Sequence, residues 1–591
     1  MSDVSGKAFD FKAFKRVIEY LRPYQSTAWI TLILSVLLAG IAPLTPTFIK
    51  YIQDTAAHMG MAAGFSFLFN MCLLLFGLLV IRSVFQFGNT YLASLLGQNI
   101  IKDMRIKLYT HILSMKLQFF DRTPVGTLVT RVNSDIETIA EVFSDGLVVI
   151  INQALTVLVV IVVMIWQNWA LALLSLSVFP VLIFATYLFQ RATRASFQDV
   201  RVQVARLNAF VQEHITGMSI VQVFNREETE LEKFRQINNS HKMANIRSIW
   251  YYSIFFPVVE ILSSISIAII VWWCTKGMLT GTISSGTITQ YVLYINLLFG
   301  PIRQLSDKFN TLQMGVVSSE RIFTLLDTVD NIEDKGTLKP EKLKGKIKFE
   351  DVYFAYNNDD WVLKGVNFDI EPGKTLAIVG ATGAGKSSII NILGRFYEFQ
   401  KGSIMLDDEE IRDYSVESLR KNIAIVLQDV FLFSDTITNN IALFNKEITV
   451  QQIQDAARAI GAEAFIESLP GKYEYNVRER GNMLSAGQRQ LVSFIRAYVQ
   501  NPAILVLDEA TSSIDTETER LIQTAIEKLT EHRTSIIIAH RLATIQRADK
   551  ILVLDHGIVV ESGSHQELLQ KDGFYRKLYE IQFQKEEKLR A

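Results

Sequence analysis

The run Gly380-Ala381-Thr382-Gly383-Ala384-Gly385-Lys386-Ser387 fits the spacing G-x-x-x-x-G-K-S. Glycines at these positions let consecutive backbone N–H groups turn inward on a chain of phosphates. Lys386 is placed to reach the terminal phosphates, and the Ser387 hydroxyl is suited to a magnesium ion. Thr375–Val379 reads as the buried strand that enters such a loop, and Ser388 opens the helix that leaves it. The motif predicts binding of a nucleoside triphosphate with Mg2+, and by itself nothing more.

Two further runs supply what hydrolysis would need. Ile504–Leu507 is an apolar strand that ends in Asp508 and Glu509. Carboxylates at the end of a buried strand suit a magnesium contact (Asp508) and a general base for an attacking water (Glu509). Ser535–Ala539 is a second apolar strand, and His540 at its end is placed to touch a γ phosphate. Leu484-Ser485-Ala486-Gly487-Gln488 precedes a helix with apolar residues at Leu491, Ile495 and Val499. Ser485 can cap that helix, whose free N–H groups and dipole favour an anion.

These loops need a scaffold, and the second half of the chain supplies one. From Lys346 onward short strands alternate with helices, as in an α/β nucleotide-binding domain. The first half is different. The chain has 591 residues, 49% hydrophobic and 20% charged, with a mean hydropathy of +0.22. That average suits one membrane half joined to one polar half. An apolar run of about 20 residues crosses a bilayer as a helix, and six are expected, at about 26–49, 64–86, 142–166, 170–190, 248–275 and 283–305. Their apolar cores at 26–49, 64–81, 146–166, 170–189 and 283–302 are uncharged, and 248–275 holds one charge, Glu260. Glu260 reads either as a carboxylate that contacts substrate or gates a path, or as an acid paired or protonated between helices. Arg82 lies nearer an interface, where its stem can snorkel.

Basic residues set the expected orientation. They gather before the first span (Lys7, Lys12, Lys15, Arg16, Arg22), between the second and third (Lys102 to Arg131) and between the fourth and fifth (Arg191 to Arg247). Lys50 and Lys276 are the exceptions. Both termini are therefore expected in the cytoplasm. The long connections read as helices that extend the spans outward from the bilayer, turning near Phe119–Pro124 and Glu213–Gly217. Residues 9–22 read as an interfacial helix or a soluble packing helix. The expected organisation is a transmembrane domain over 1–327, a polar linker over 328–345, an ATPase domain over 346–584 and a charged tail over 585–591. The first 24 residues lack the apolar core of a cleavable signal. Net charge is -1, with no nucleic-acid footprint, and Cys72 and Cys274 form neither a disulfide framework nor a zinc cluster.

Taken together, the phosphate loop, LSAGQ 20 residues ahead of Asp508, the strand ending in Asp508-Glu509, the segment through Asp515 and His540 resemble the ATP-binding cassette family, in family order. The resemblance covers nearly the whole chain. It implies that Tyr356 stacks on adenine, that Gln428 links magnesium and γ phosphate to the membrane domain, and that Arg478–Gly481 is a transmission loop. It also places Ala381, Thr382, Ala384, Ser388, Ser485, Gly487, Gln488 and Asp515 at the nucleotide. Ala486 replaces the usual first signature glycine and Ile514 a more common leucine or valine, and neither removes a needed donor. The membrane half resembles fused exporters of the bacterial lipid A and multidrug half-transporter type, through Phe120-Asp121, Gly126, Asp135, Asn225-Arg226-Glu227 and Ser319–Phe323.

In that family ATP closes between the phosphate loop of one copy and the signature of another. The chain carries one of each, so the resemblance implies a dimer: a homodimer, or a heterodimer with a homologous half-transporter. It further implies ATP-driven export or leaflet-to-leaflet flipping at the inner membrane. The scarcity of charge in the spans favours a lipid-like or amphipathic substrate. A peptide exporter and an ATP-gated channel are the alternatives.

Overall fold

The fold is that of a computed structural model, which describes residues 16–17, 19–56, 61–330, 334–357, 360–508, 516–539 and 541–582. Glu509, Asp515 and His540 lie outside the described residues, as do most of the expected helix at 9–22 and the tail 585–591. The chain divides into two compact units. One comprises Met1–Leu113 and Pro124–Val329, the other Ser114–Thr123 and Asp330–Ala591.

The first unit is helical. Its long elements are α1 (Gln25–Ile41), α2 (Leu44–Ala56) and α3 (Met61–Leu113). After the segment 125–147, which contains two π turns, come α5 (Val148–Gln167), α6 (Trp169–Leu176), α7 (Phe179–Thr216), α8 (Met218–Val223), α9 (Glu227–Leu279) and α10 (Ser285–Asp327). The label α4 is kept for Leu117–Arg122 of the other unit. Helices α3 and α9 have 53 residues each. At 1.5 Å per residue that is about 80 Å, against about 30 Å of hydrocarbon, so most of each helix lies beyond a bilayer. Among the described residues five helical stretches are long and apolar enough to cross: Arg22–Ala56, Phe65–Leu113, Val148–Gln167, Trp169–Thr216 and Glu227–Leu279. The sixth expected span begins α10.

Proline sets two of the breaks. Pro43 separates α1 from α2, and its carbonyl accepts from the Thr47 N–H and hydroxyl. Pro180 sits in the first turn of α7, where its missing N–H costs nothing. The turn after α7 is longer than the sequence suggests. The helix runs through Thr216, and α8 and Asn225 (φ 48°) intervene before α9. Asparagine tolerates that left-handed conformation better than most residues.

Several polar groups inside this unit are paired across helices, which offsets the cost of their burial. Asn89 Nδ2 donates to Thr31 O and Ser35 Oγ (2.9 and 2.8 Å). Tyr291 OH donates to Met164 O, and Ser266 Oγ to Ser175 O. Phe189 stacks on Phe255 at 3.9 Å, tying α7 to α9. Buried Asp135 accepts from Ser318 Oγ (2.9 Å) and pairs with Arg131 and Arg321, which joins two segments singled out as exporter-like.

The second unit carries two sheets. A four-stranded antiparallel sheet has the order β2-β1-β4-β5 (β1 Ile347–Ala355, β2 Trp361–Ile370, β4 Lys401–Leu406, β5 Glu409–Glu410). A six-stranded sheet has the order β10-β9-β3-β8-β7-β6 (β3 Thr375–Gly380, β6 Ile423–Val426, β7 Ile504–Asp508, β8 Thr534–Ile538, β9 Lys550–Asp555, β10 Ile558–Gly563). Strands β9, β3, β8, β7 and β6 run parallel. Every residue of β8 is buried, as is Ile504–Leu507 of β7, the continuous apolar run expected of strands covered on both faces.

Candidate ATP-binding site

Strands β3, β7 and β6 end on the same edge of the parallel sheet, where ligands bind in open α/β folds. β3 delivers Gly380, β7 delivers Asp508, and Val426 at the end of β6 pairs with Leu507. Gln428 follows two residues later and is exposed.

The loop after β3 can only be glycine at its close approaches. A Cβ on Gly380 would stand 2.2 Å from Leu554 O, and one on Gly385 would meet Leu363 Cδ2 at 2.8 Å. Gly385 also has φ 101° and Gly383 φ 82°, in the left-handed region. From Gly385 the chain enters α11 (Lys386–Leu393). The carbonyl of Ala384 accepts from Gly557 N, which fixes the loop against the β9–β10 turn.

Lys386 is buried, and its Nζ donates to the carbonyls of Gly380 and Ala381 (2.8 and 2.9 Å). Burial lowers its pKa, and Asp508 opposes that shift. The ammonium thus rests on neutral acceptors of its own loop, from which an anionic phosphate can draw it. Ser387 Oγ donates to Asp508 Oδ2 at 3.3 Å, longer than an ordinary O–H···O bond. A hydroxyl and a carboxylate this close form a hard-oxygen pair of the kind Mg2+ prefers, and the Gln428 side chain can add a third oxygen. Among the described residues no cluster of His, Cys, Asp and Glu offers an alternative metal site.

Ser485 caps α12 (Ala486–Val499) through a reciprocal box. Its Oγ accepts from Gln488 N (3.2 Å), while Ser485 N donates to Gln488 Oε1 (2.9 Å). Gly487 is buried. Among the described residues no hydrogen bond joins Ser485, Gly487 or Gln488 to residues 380–388.

Tyr356 is half-buried. Its hydroxyl bonds Ser388 Oγ (3.1 Å) and Asn391 Nδ2 (2.9 Å), and its ring lies edge-on to Tyr397 at 5.0 Å. The short helix α4 packs at this point within the same unit. Gln118 Nε2 donates to the Tyr356 carbonyl (3.1 Å), Arg122 donates to Asn357 Oδ1 (3.1 Å), and Tyr397 OH donates to Asp121. Burial, with Asp121 beside it, pushes the Tyr397 phenol well above its usual pKa. Motif spacing does not single out Tyr397. Its partner lies 276 residues away in sequence, so no local pattern could.

Two family models match the chain: "ABC transporter transmembrane region" over residues 28–302 and "ABC transporter" over residues 363–512. The chain belongs to the ATP-binding cassette transporter family. It is 37% identical to a probable multidrug resistance ABC transporter ATP-binding/permease protein of Bacillus subtilis, over 86% of this chain and 76% of that one. It is 33% identical to an ATP-dependent lipid A-core flippase of Syntrophus aciditrophicus (98% and 95% covered) and to that of Vibrio cholerae (97% and 98%). The cassette is thus an ATP-hydrolysing unit coupled to transport, on a multi-pass membrane protein whose first half is helical.

Proposed function

We propose that the protein is an ATP-driven exporter or flippase of a lipid-like or amphipathic substrate, working as a homodimer in a bacterial inner membrane with both termini and the cassette in the cytoplasm. The observation that carries the reading is the Ser387–Asp508 pair beside a resting Lys386, in a chain whose other half consists of helices able to span a bilayer. Residues 380–388 cradle the phosphates, and Tyr356 stacks on adenine once its edge-on packing yields. Magnesium held by Ser387, Asp508 and Gln428 would neutralise charge on the phosphates. Glu509 polarises the attacking water and His540 contacts the γ phosphate. Ser485, Gly487, Gln488 and Asp515 of the second copy complete the site, which fits a signature whose Ser485 and Gln488 side chains each bond the other's backbone N–H.

ATP binds best to the closed pair, so it shifts the population toward closure. The segment Ser114–Thr123, packed against the adenine side of the cassette, moves with it and carries the helices. Hydrolysis removes the contacts that favour closure and resets the cycle. The test is reconstitution of the purified protein with a panel of lipid A, phospholipids, hydrophobic dyes and peptides. Stimulated ATPase with vectorial movement of a lipid or dye is expected. ATP-gated ionic current without such movement would replace this reading with a channel, and peptide-only stimulation would replace the substrate class.

A further inference from the structure

The cassette unit holds a second cavity, of about 500 Å³, beside the nucleotide site. That volume suits a small organic ligand. None of residues 380–388, Gln428 or Asp508 lines it, although Tyr356 forms part of its wall. The α4 segment contributes Lys116, its N-cap, and Gln118 in its first turn. Arg395, Phe396, Tyr397 and Glu398 come from the segment between α11 and β4, and Arg412 from the helical turn after β5. Ser114–Thr123 belongs to the same compact unit as the cassette, so the whole wall lies within one unit.

Four cations line the cavity, Lys116, Lys335, Arg395 and Arg412, against one carboxylate, Glu398. That carboxylate is shared. Arg395 Nε donates to its Oε1 (3.2 Å) and Arg412 Nε to its Oε2 (3.4 Å), so one negative charge faces two guanidiniums. Arg395 is buried and its Nη1 also donates to Tyr414 O (3.0 Å), which makes it a fixed part of the wall. Arg412 keeps donors in reserve. Its guanidinium lies 3.8 Å over the Phe399 ring and bonds Glu398 and the Phe399 carbonyl through Nε and Nη2, two of the five N–H groups a guanidinium carries. Lys116 is held more loosely still: its Nζ has Asp330 Oδ1 at 3.9 Å, beyond hydrogen-bond length. An anion can therefore be bonded by Arg412 and Lys116 without breaking a hydrogen bond that either side chain already makes. A phosphate monoester suits this wall best. It carries nearly two negative charges and three acceptor oxygens, and the planar fork of arginine matches its geometry. Phe396, Tyr356 and Tyr397 add aromatic surface for the rest of the molecule.

We propose that this cavity binds an organic phosphate monoester with a flat, apolar body, and that the occupant ties α4 to the cassette. Lys116 and Arg412 hold the phosphate, and the body lies on Phe396 and Tyr397. Binding requires nothing of the export reading; only the effect on coupling rests on it.

The test uses full-length protein in proteoliposomes, with the ATP sites filled by Mg-ATPγS and the fluorescent ester 4-methylumbelliferyl phosphate as probe. Saturable binding that further ATPγS does not displace is expected. Lys116→Gln and Arg412→Gln should each weaken it about tenfold, the scale of one charge-assisted hydrogen bond, while Lys116→Arg retains most of it. Unchanged ATPγS affinity identifies the variants whose cassette is folded. 4-Methylumbelliferone, which lacks the phosphate, and inorganic phosphate, which lacks the ring, should each bind at least about tenfold more weakly than the ester. Displacement by ATPγS, undiminished binding in either folded variant, or equal binding of either fragment overturns the proposal. With ATP turning over, the ester should lower substrate-stimulated hydrolysis more than basal hydrolysis, because α4 is part of the cavity wall. A bound ester that leaves both rates unchanged overturns the tie to α4. If the ester binds but no lipid or dye stimulates hydrolysis, the export reading fails and the site stands.

Discussion

The two units of this chain build their sites on opposite principles. The ATP-binding unit places its reactive groups at the carboxyl edge of a parallel sheet, each within a few residues of a strand end: Gly380 at the end of β3, Gln428 after β6, Asp508 at the end of β7. Among its described residues the helical unit has no such edge. Its polar groups come from the middles of helices, and their meaning depends on which face a helix turns outward. Glu260 is exposed, while Ser263, three residues on, is buried. A sheet-edge site is written as a local string, whereas a helix-face site is written across the bundle.

Substituting the base in the first kind of site should give the largest effect. With Glu509→Gln, ATP binding is expected to persist while turnover falls by about 10² to 10⁴-fold, the range for loss of a general base. Single-turnover hydrolysis and retention of bound nucleotide are the measurements. Near-normal turnover would remove Glu509 from the mechanism and weaken the idea that strand-end position predicts role.

Gly380→Ala is next. The new Cβ would fall 2.2 Å from the Leu554 carbonyl, which is backbone held in β9 and cannot rotate away. Forced overpacking of this kind costs about 1–3 kcal/mol. A Tm lowered by several degrees, together with weakened ATP binding, is expected. Glycine 383, whose Cβ would meet nothing within 4 Å, supplies the contrast. Gly383→Ala carries only the strain of φ 82° and should be the milder change. Equal effects would show that conformation, not close approach, governs the loop.

These two cases show what was readable. The phosphate loop and the strand ending at Asp508 are legible because glycine spacing and a buried apolar run each have one dominant physical explanation. The six-helix expectation is roughly met because hydropathy reports directly on solvent. The cap at Ser485 is legible as well, and the structure adds its reciprocal partner, Gln488. A side chain expected at nucleotide is here occupied with its own helix N-terminus. The Asp121–Tyr397 bond and the meeting of Asp135 with Ser318 were out of reach, since each joins segments far apart in sequence through side chains of unremarkable type.

Tyr397→Phe probes that invisible layer. It removes one hydroxyl and keeps the ring that packs against Tyr356. If α4 carries the cassette's movement, substrate stimulation of ATPase should fall a few-fold, consistent with about 1 kcal/mol for a hydrogen bond. Asp121→Asn, which keeps an acceptor at the same place, should fall less. Loss of basal hydrolysis in step with stimulation would assign Tyr397 to the nucleotide site rather than to coupling.

The smallest effect is expected at the far tip of the helical unit. His214 Nε2 lies 2.9 Å from Glu230 Oε2, and Lys233 Nζ reaches Glu230 Oε1 at 2.8 Å, so the α7–α9 hairpin is clasped by charge. The hydrogen bond to Glu230, with a second to the Phe210 carbonyl, raises the pKa of His214. A group whose folded pKa is raised stabilises the folded form fully below its unfolded pKa of about 6.5. That contribution is lost as pH rises through the higher, folded value. Amide exchange across residues 210–233, corrected for its intrinsic pH dependence, should therefore show looser protection above neutrality than below it. His214→Gln should flatten the profile. Tightening of the hairpin with rising pH would mean that Glu230 is held chiefly by Lys233, with His214 a neutral neighbour stacked on Phe210.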